Sequence, residues 1–391
     1  MTFNYFFLII KNNVNYGKKE IKIMKQTVKD LLANADVKIN GNRPWDIQVK
    51  NEKLYSRVLA GGSLALGESY MDNWWNSEAI DEFIYHILSA RLDKKVKSVH
   101  QIWNFLKAKL INQQKKSRAF IIGKKHYDTG NDLFLNMLDK RMNYSCGYWK
   151  DAETLDEAQE AKLDLICKKL KLEKGMKVLD IGCGWGGFAK FAAEKYDTKV
   201  VGITVSKEQT KFAKDYCKDY DVEIRLQDYR KINEKFDRIV SVGMIEHVGY
   251  KNYKNLMEIA NRCLKDDGLF LLQTIADNVS VKSGELWISK YIFPNSMLPS
   301  AKQITKAYEG IFKLEDWHNF GKYYDKTLMS WHKNFNKNWD KIKRNYDERF
   351  RRMWNYYLLS CAGGFRACYN QLWQIVFSKL GSQISYNRVN L

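Results

Sequence analysis

A chain of 391 residues has room for two or three domains, each with a substantial core. Apolar residues make up 45% and aromatics 14%, which excludes an extended disordered protein, and no apolar run approaches the ~20 residues needed to span a bilayer. The net charge of +20 asks for an acidic partner, whether nucleic acid, an anionic membrane or acidic small molecules.

The first residues carry little pattern. Phe3–Ile10 is hydrophobic but short, with no basic flank before it and no small-residue cleavage site after it. It does not read as a signal peptide, and Met24 is an alternative start. Few prolines (44, 294 and 299) leave the first third free to be helical. Helices are predicted over Gln26–Asn34, Tyr55–Ala60, Leu64–Met71 and Ala79–Ala90, with a short strand in Asp46–Lys53. Gly61-Gly62 and a Trp74-Trp75 turn join them. This predicts a helical N-terminal domain over 24–120, followed by a catalytic domain over 121–391.

Half of the net charge is concentrated at the end of the first domain. Between Arg91 and Lys125 there are eleven Lys or Arg residues against one acidic residue, Asp93. Ile102, Trp103, Phe105, Leu106, Leu110 and Ile111 are interleaved at helical spacing. A basic amphipathic helix with Trp and Phe on its apolar side suits a membrane surface. The plainer alternative is a packed helix with one solvated face.

The chain then alternates. Strands are expected at 177–182, 199–204, 222–226, 237–243 and 268–275, with helices at Phe188–Tyr196, Ser206–Lys218 and Tyr253–Leu264. That alternation is the pattern of an α/β fold with a doubly wound, mostly parallel sheet. Beyond Ile275 a loop-rich insertion (276–300) and an aromatic, largely helical C-terminal part are expected. The seven cysteines (146, 167, 183, 217, 263, 361 and 368) are odd in number and include no C-x-x-C pair, so reduced thiols are expected and no metal site is indicated.

Val178–Gly187 is the most informative stretch. An apolar strand carrying Asp180 runs into Gly182-Cys183-Gly184-Trp185-Gly186-Gly187, and a helix and second strand follow. Glycines at 182, 184 and 186 let backbone approach a ligand closely. In such folds ligands collect at the carboxyl ends of the strands. The G-x-G-x-x-G register of a dinucleotide turn is only partly kept.

Further motifs follow in order: Met142–Trp149, Gly243-Met244-Ile245-Glu246-His247-Val248-Gly249, Lys290–Pro294 and Glu315–Gly321. With Val178–Gly187 they closely resemble the cyclopropane-fatty-acyl-phospholipid synthases. The likeness runs from about Asn40 to Arg366 and includes Gly62–Trp75. It implies a Rossmann-like class I methyltransferase fold with a smaller helical N-terminal lipid-binding domain. It also implies S-adenosylmethionine as cofactor and a methylene added across a cis double bond of a phospholipid acyl chain. Mycolic-acid cyclopropane synthases share the catalytic domain but not this N-terminal domain, which favours a phospholipid substrate.

The resemblance assigns cofactor contacts to Tyr144, Ser145, Asp180, Gly182, Cys183, Gly184, Trp185, Gly186, Thr204, Gln209, Asp228 and Tyr229. Thr204 and Gln209 stand where many methyltransferases carry an acidic residue after the second strand. The reaction needs a base, which in the family is a bound bicarbonate. It is held by backbone groups near Cys146 and Ile275 and by side chains matching Glu246, Gln273 and Tyr324. Gln273 departs from the histidine common in the family; an amide can donate to the anion but cannot become cationic. Cys361 matches a cysteine proposed there as a nucleophile, although this chemistry gives a thiolate no clear role. As alternatives, Glu246 could cap a helix, and Tyr324 and Cys361 could be core residues.

The resemblance further implies a cytoplasmic protein peripherally bound to an anionic phospholipid surface on the inner face of the membrane. A homodimer is left open. A nucleic-acid methyltransferase would use the same cofactor, but the chain has neither an N-P-P-Y-type motif nor a catalytic Pro-Cys pair, so no nucleic-acid partner is expected. A non-catalytic lipid-binding protein would be expected to lose the glycine turn or Glu246. A methyl-branched product remains an alternative within the family.

Overall fold

The computed structural model describes residues 18–92 and 130–390, and of Lys18 only the backbone. Most of the basic segment Arg91–Lys125 lies outside them. The chain divides into two compact units, one of residues up to 107 with Tyr346–Ala367, the other of 108–345 with Cys368–Leu391.

The first unit is helical, with helices Lys18–Ala33, Lys53–Met71, Ile80–Ser89 and Glu348–Arg366. The two helices expected around Gly61-Gly62 form one element bent at Gly62, where φ is 58°. Trp74-Trp75 is not simply a turn: Trp75–Asn76 forms strand β2, antiparallel to β1 (Gln48–Val49). The core is aromatic, Trp75 lying 5.1 Å from Tyr70 and 5.2 Å from Phe83 between ring centroids. Glu348–Arg366 was expected with the catalytic domain but belongs here. Gly363 allows it: a Cβ there would strike the Asp81 carbonyl of Ile80–Ser89. Arg366 secures the contact with an ion pair to Asp81 at 2.7 Å.

The second unit is built on one sheet. Strands β3 (Lys177–Ile181), β4 (Lys199–Thr204), β5 (Val222–Leu226), β6 (Phe236–Val242) and β7 (Leu264–Asp277) are all mutually parallel, as expected. Two further strands, β8 (Phe312–Asn319) and β9 (Asn370–Lys379), complete the order β5-β4-β3-β6-β7-β9-β8. Both lie in the region expected to be largely helical, and β9 runs antiparallel to its two neighbours.

Residues alternate between two buried layers. Leu179, Ile181, Val201, Ile203 and Ile239 meet helices Tyr253–Cys263 and Ala301–Tyr308 on one face. Val178, Val200, Val240 and Leu271 meet helices Leu155–Lys169 and Gly187–Tyr196 on the other. Among the described residues, no helix is long and apolar enough to cross a membrane. The strand order reverses at β3, so β3, β4 and β6 end at a crevice where side chains converge.

Candidate active site

The crevice is opened by the glycine turn. Gly182, Gly184 and Gly186 have φ of 88°, 56° and 89°, values that strain a residue with a side chain. At Gly184 a Cβ would meet nothing within 4 Å, so that position faces open space. Gly186 instead caps helix Gly187–Tyr196, and a Cβ there would crowd Cys217 Sγ at 2.8 Å. It is the one expected cofactor residue that does not line the cleft, whose walls include Tyr144, Ser145, Asp180, Gly182, Cys183, Gly184, Trp185, Thr204, Gln209, Asp228 and Tyr229.

Polar groups on this wall are organised in advance. Thr204 Oγ1 donates to Gln209 Oε1 at 2.8 Å, and Ser206 caps the helix that carries Gln209. Asp228 is gripped by Arg230, whose guanidinium lies 2.6 Å from Oδ2. Asp180 Oδ2 is buried with no hydrogen-bond partner, and burial lifts its carboxyl to about 7. Lys162 also lines the cleft, donating to Asn143 Oδ1 at 3.2 Å and Ser145 Oγ at 3.0 Å. Sequence reasoning missed Lys162 and Arg230, because lysines and arginines on amphipathic elements are ordinarily solvated.

Glu246 sits at the end of β6, in the short turn Ile245–His247. Its Oε1 accepts the Ile275 N–H of β7 at 2.7 Å, and its Oε2 is buried without a partner. Burial raises its carboxyl to about 7 against the pull of that N–H. Glu246 therefore does not cap helix Tyr253–Cys263. Its neighbours Met244 and His247 line the cofactor cleft. Burial also drives His247 down to about 4, so its ring is neutral at pH 7.

Gln273 stands two residues before Ile275 and therefore on the same face of β7. Its carbonyl oxygen accepts from Gln374 Nε2 at 2.9 Å, and Gln374 Oε1 is itself buried without a partner. Sequence offered no sign of Gln374. Cys146 is fully buried beside Thr327, whose hydroxyl lies 3.8 Å from its sulfur, and burial pushes the thiol well up. Tyr324 is one turn before Thr327 on helix Tyr323–Lys337. Its ring meets Trp331 at 6.0 Å; Trp331 meets Tyr144 at 5.2 Å, and Tyr144 meets Phe293 at 6.1 Å. An aromatic wall thus runs from the cofactor cleft to Tyr324.

Cys361 is placed on helix Glu348–Arg366. It belongs to the helical unit, beside the Ala362-Gly363-Gly364 run through which Glu348–Arg366 meets Ile80–Ser89.

The family model for mycolic acid cyclopropane synthetase matches residues 114–375. The chain belongs to this family. It is 54% identical over 353 residues to the cyclopropane-fatty-acyl-phospholipid synthase of Escherichia coli K12, covering 90% of this chain and 92% of that protein. A probable fatty acid methyltransferase of Pseudomonas putida is 37% identical over 65% of this chain and 68% of its own length. Among solved structures, a mycolic acid cyclopropane synthase complexed with SAH and CTAB matches with a TM-score of 0.62 and 33% identity, over 66% of this chain and 98% of its own. A cyclopropane synthase of Mycobacterium tuberculosis matches with a TM-score of 0.62 and 31% identity over the same shares.

The fold is accordingly that of a class I methyltransferase, and the enzyme is S-adenosylmethionine-dependent. The cyclopropane synthetase cleft suits that cofactor on its own geometry. Gly184 leaves room for close backbone approach, Trp185 and Tyr229 present aromatic surface, and the partnerless Asp180 oxygen can accept from an ammonium.

Proposed function

We propose that this enzyme converts cis-unsaturated phospholipid acyl chains into cyclopropane chains. The observation that carries the reading is Glu246: a buried carboxyl, fixed by the Ile275 N–H, with one oxygen unspent beside the cofactor cleft. Bound S-adenosylmethionine would supply an electrophilic methyl group to the alkene, so the protein's chief contribution is positioning. The aromatic wall of Tyr144, Phe293, Trp331 and Tyr324 keeps water away and presents ring faces to a developing cation.

Closing the ring requires a proton to leave the new methyl group. Bicarbonate fits as its acceptor: its single hydroxyl can donate to the partnerless Glu246 Oε2, and the Gln273 amide, with its carbonyl held by Gln374, can donate to its oxygens. Cys146 would complete the site through its backbone, while Ile275 acts through Glu246, whose Oε1 takes up its N–H. Cys361 takes no part, since this chemistry gives a thiolate no clear role.

The test is a purified-protein assay with vesicles of cis-unsaturated phospholipid and labelled cofactor. One CH2 per modified chain should appear and resist hydrogenation as a ring. Label in tRNA or DNA, with none in lipid, would refute the proposal. A methyl-branched or unsaturated methylated product would support the second reading, which the Gln273–Gln374 pair and the Pseudomonas putida relative keep in view.

The substrate's double bond lies within a bilayer, so the enzyme must work at a membrane surface. The charge of Arg91–Lys125 supports docking to anionic phospholipid on the cytoplasmic face. A homodimer would double that contact.

A further inference from the structure

Helix Leu155–Lys169 turns a lysine inward. Lys162 is only 1% exposed. Burying an ammonium is costly unless an anion compensates it. Here two of its three donors go to neutral oxygens, Asn143 Oδ1 and Ser145 Oγ. Asp139 is nearby, but its oxygens already accept from the Asn143 and Arg141 backbone N–H groups and from Asn143 Nδ2. No carboxylate forms an ion pair with Lys162 among the described residues. The ammonium instead lines the cofactor cleft, as does Asp180 with its partnerless oxygen. One buried cation and one buried carboxyl on a single wall match a ligand that carries both charges.

We propose that Lys162 receives the carboxylate of the cofactor's amino-acid end, with Asp180 taking the ammonium. The assignment rests on the reading of this cleft as the S-adenosylmethionine site. A phosphate-free cofactor with a zwitterionic tail is anchored by these two side chains, while the glycine turn supplies close approach. Lys162 is thus a binding residue that also fixes Ser145.

The charge on Lys162 responds to pH. Burial lowers its ammonium to about 8, opposed by Asp139, Cys146 and Asp180, which are the titratable groups facing it. Preference for a carboxylate should therefore weaken as pH rises through 8.

The test compares S-adenosylhomocysteine with its decarboxylated counterpart by calorimetric titration between pH 7 and 9. Wild-type protein should prefer the carboxylated ligand by roughly tenfold or more at pH 7, the scale of a charge-assisted bond. The preference should shrink toward pH 9. Lys162→Met should abolish it, weakening the carboxylated ligand at least tenfold more than the decarboxylated one, which feels only the lost support of Ser145. Parallel weakening of both ligands in the variant would mean a purely structural lysine and would overturn the proposal. A preference that stays constant with pH in wild-type protein would overturn it too, even if the variant fails to fold. Wild-type protein that binds neither ligand would instead overturn the cofactor reading itself.

Discussion

Glu246→Gln separates what the carboxyl does for catalysis from what it does to stability. In the unfolded chain this carboxyl ionises near 4.5, in the folded protein near 7. The folded state holds the proton more tightly, so stability is fullest below pH 4.5 and falls as pH rises through 7. At about 1.4 kcal/mol per pH unit, that interval is worth about 3 kcal/mol by pH 8. Glutamine never ionises and keeps the acceptor for the Ile275 N–H. It buries an NH2 group where the partnerless Oε2 stood, at a cost of about 1–3 kcal/mol. The variant should therefore equal wild type or exceed it by up to about 2 kcal/mol at pH 8, and the advantage should vanish by pH 5. Turnover on phospholipid vesicles should fall by roughly 10²-fold or more. Affinity for S-adenosylhomocysteine should hold, because Glu246 is not part of the cleft wall. Denaturant unfolding at both pH values, with turnover and ligand titration, supplies the measurements. A stability difference that does not change between pH 5 and 8 would refute the burial argument. More than half of wild-type turnover would show that another group organises the base.

Gln273→His should lower the bicarbonate concentration for half-maximal rate by adding a charge-assisted donor, whereas Gln374→Ala, which frees the Gln273 carbonyl, should raise it. If neither changes the dependence, the anion binds elsewhere. Cys361→Ala should retain most turnover, since this chemistry gives a thiolate no clear role; loss of turnover in a variant of unchanged melting temperature would restore a chemical role. Replacing Lys107, Lys109, Lys115 and Lys116 by glutamine should weaken sedimentation with anionic vesicles at low salt, with a smaller difference at high salt. Equal binding at low salt would leave those lysines as a solvated face.

Sequence by itself determined the five parallel strands and the glycine turn, because both are written locally. Apolar runs of strand length separated by helical periodicity leave few other folds, and glycines at 182, 184 and 186 mark backbone with positive φ. The motif likeness pointed to Glu246 and Gln273, 27 residues apart, and Glu246 accepts the Ile275 N–H two residues beyond Gln273. Only the tertiary structure decided the rest. Strand β9 is buried on both faces, so Leu372–Phe377 is apolar but for Gln374 and shows no alternation, indistinguishable by period from a buried helix. Strand β8 is a polar edge strand whose Asp316 finds Lys169 at 2.9 Å, a pairing no local pattern announces. Helix Glu348–Arg366 leaves its sequence neighbours because Gly363 lets it close on Ile80–Ser89. Gln374 reaches Gln273 from 101 residues away. Lys162 is buried only because the sheet, the Met142–Ser145 loop and its own helix enclose it together, and burial of a charge is a property of the assembled fold rather than of the residues beside it in sequence.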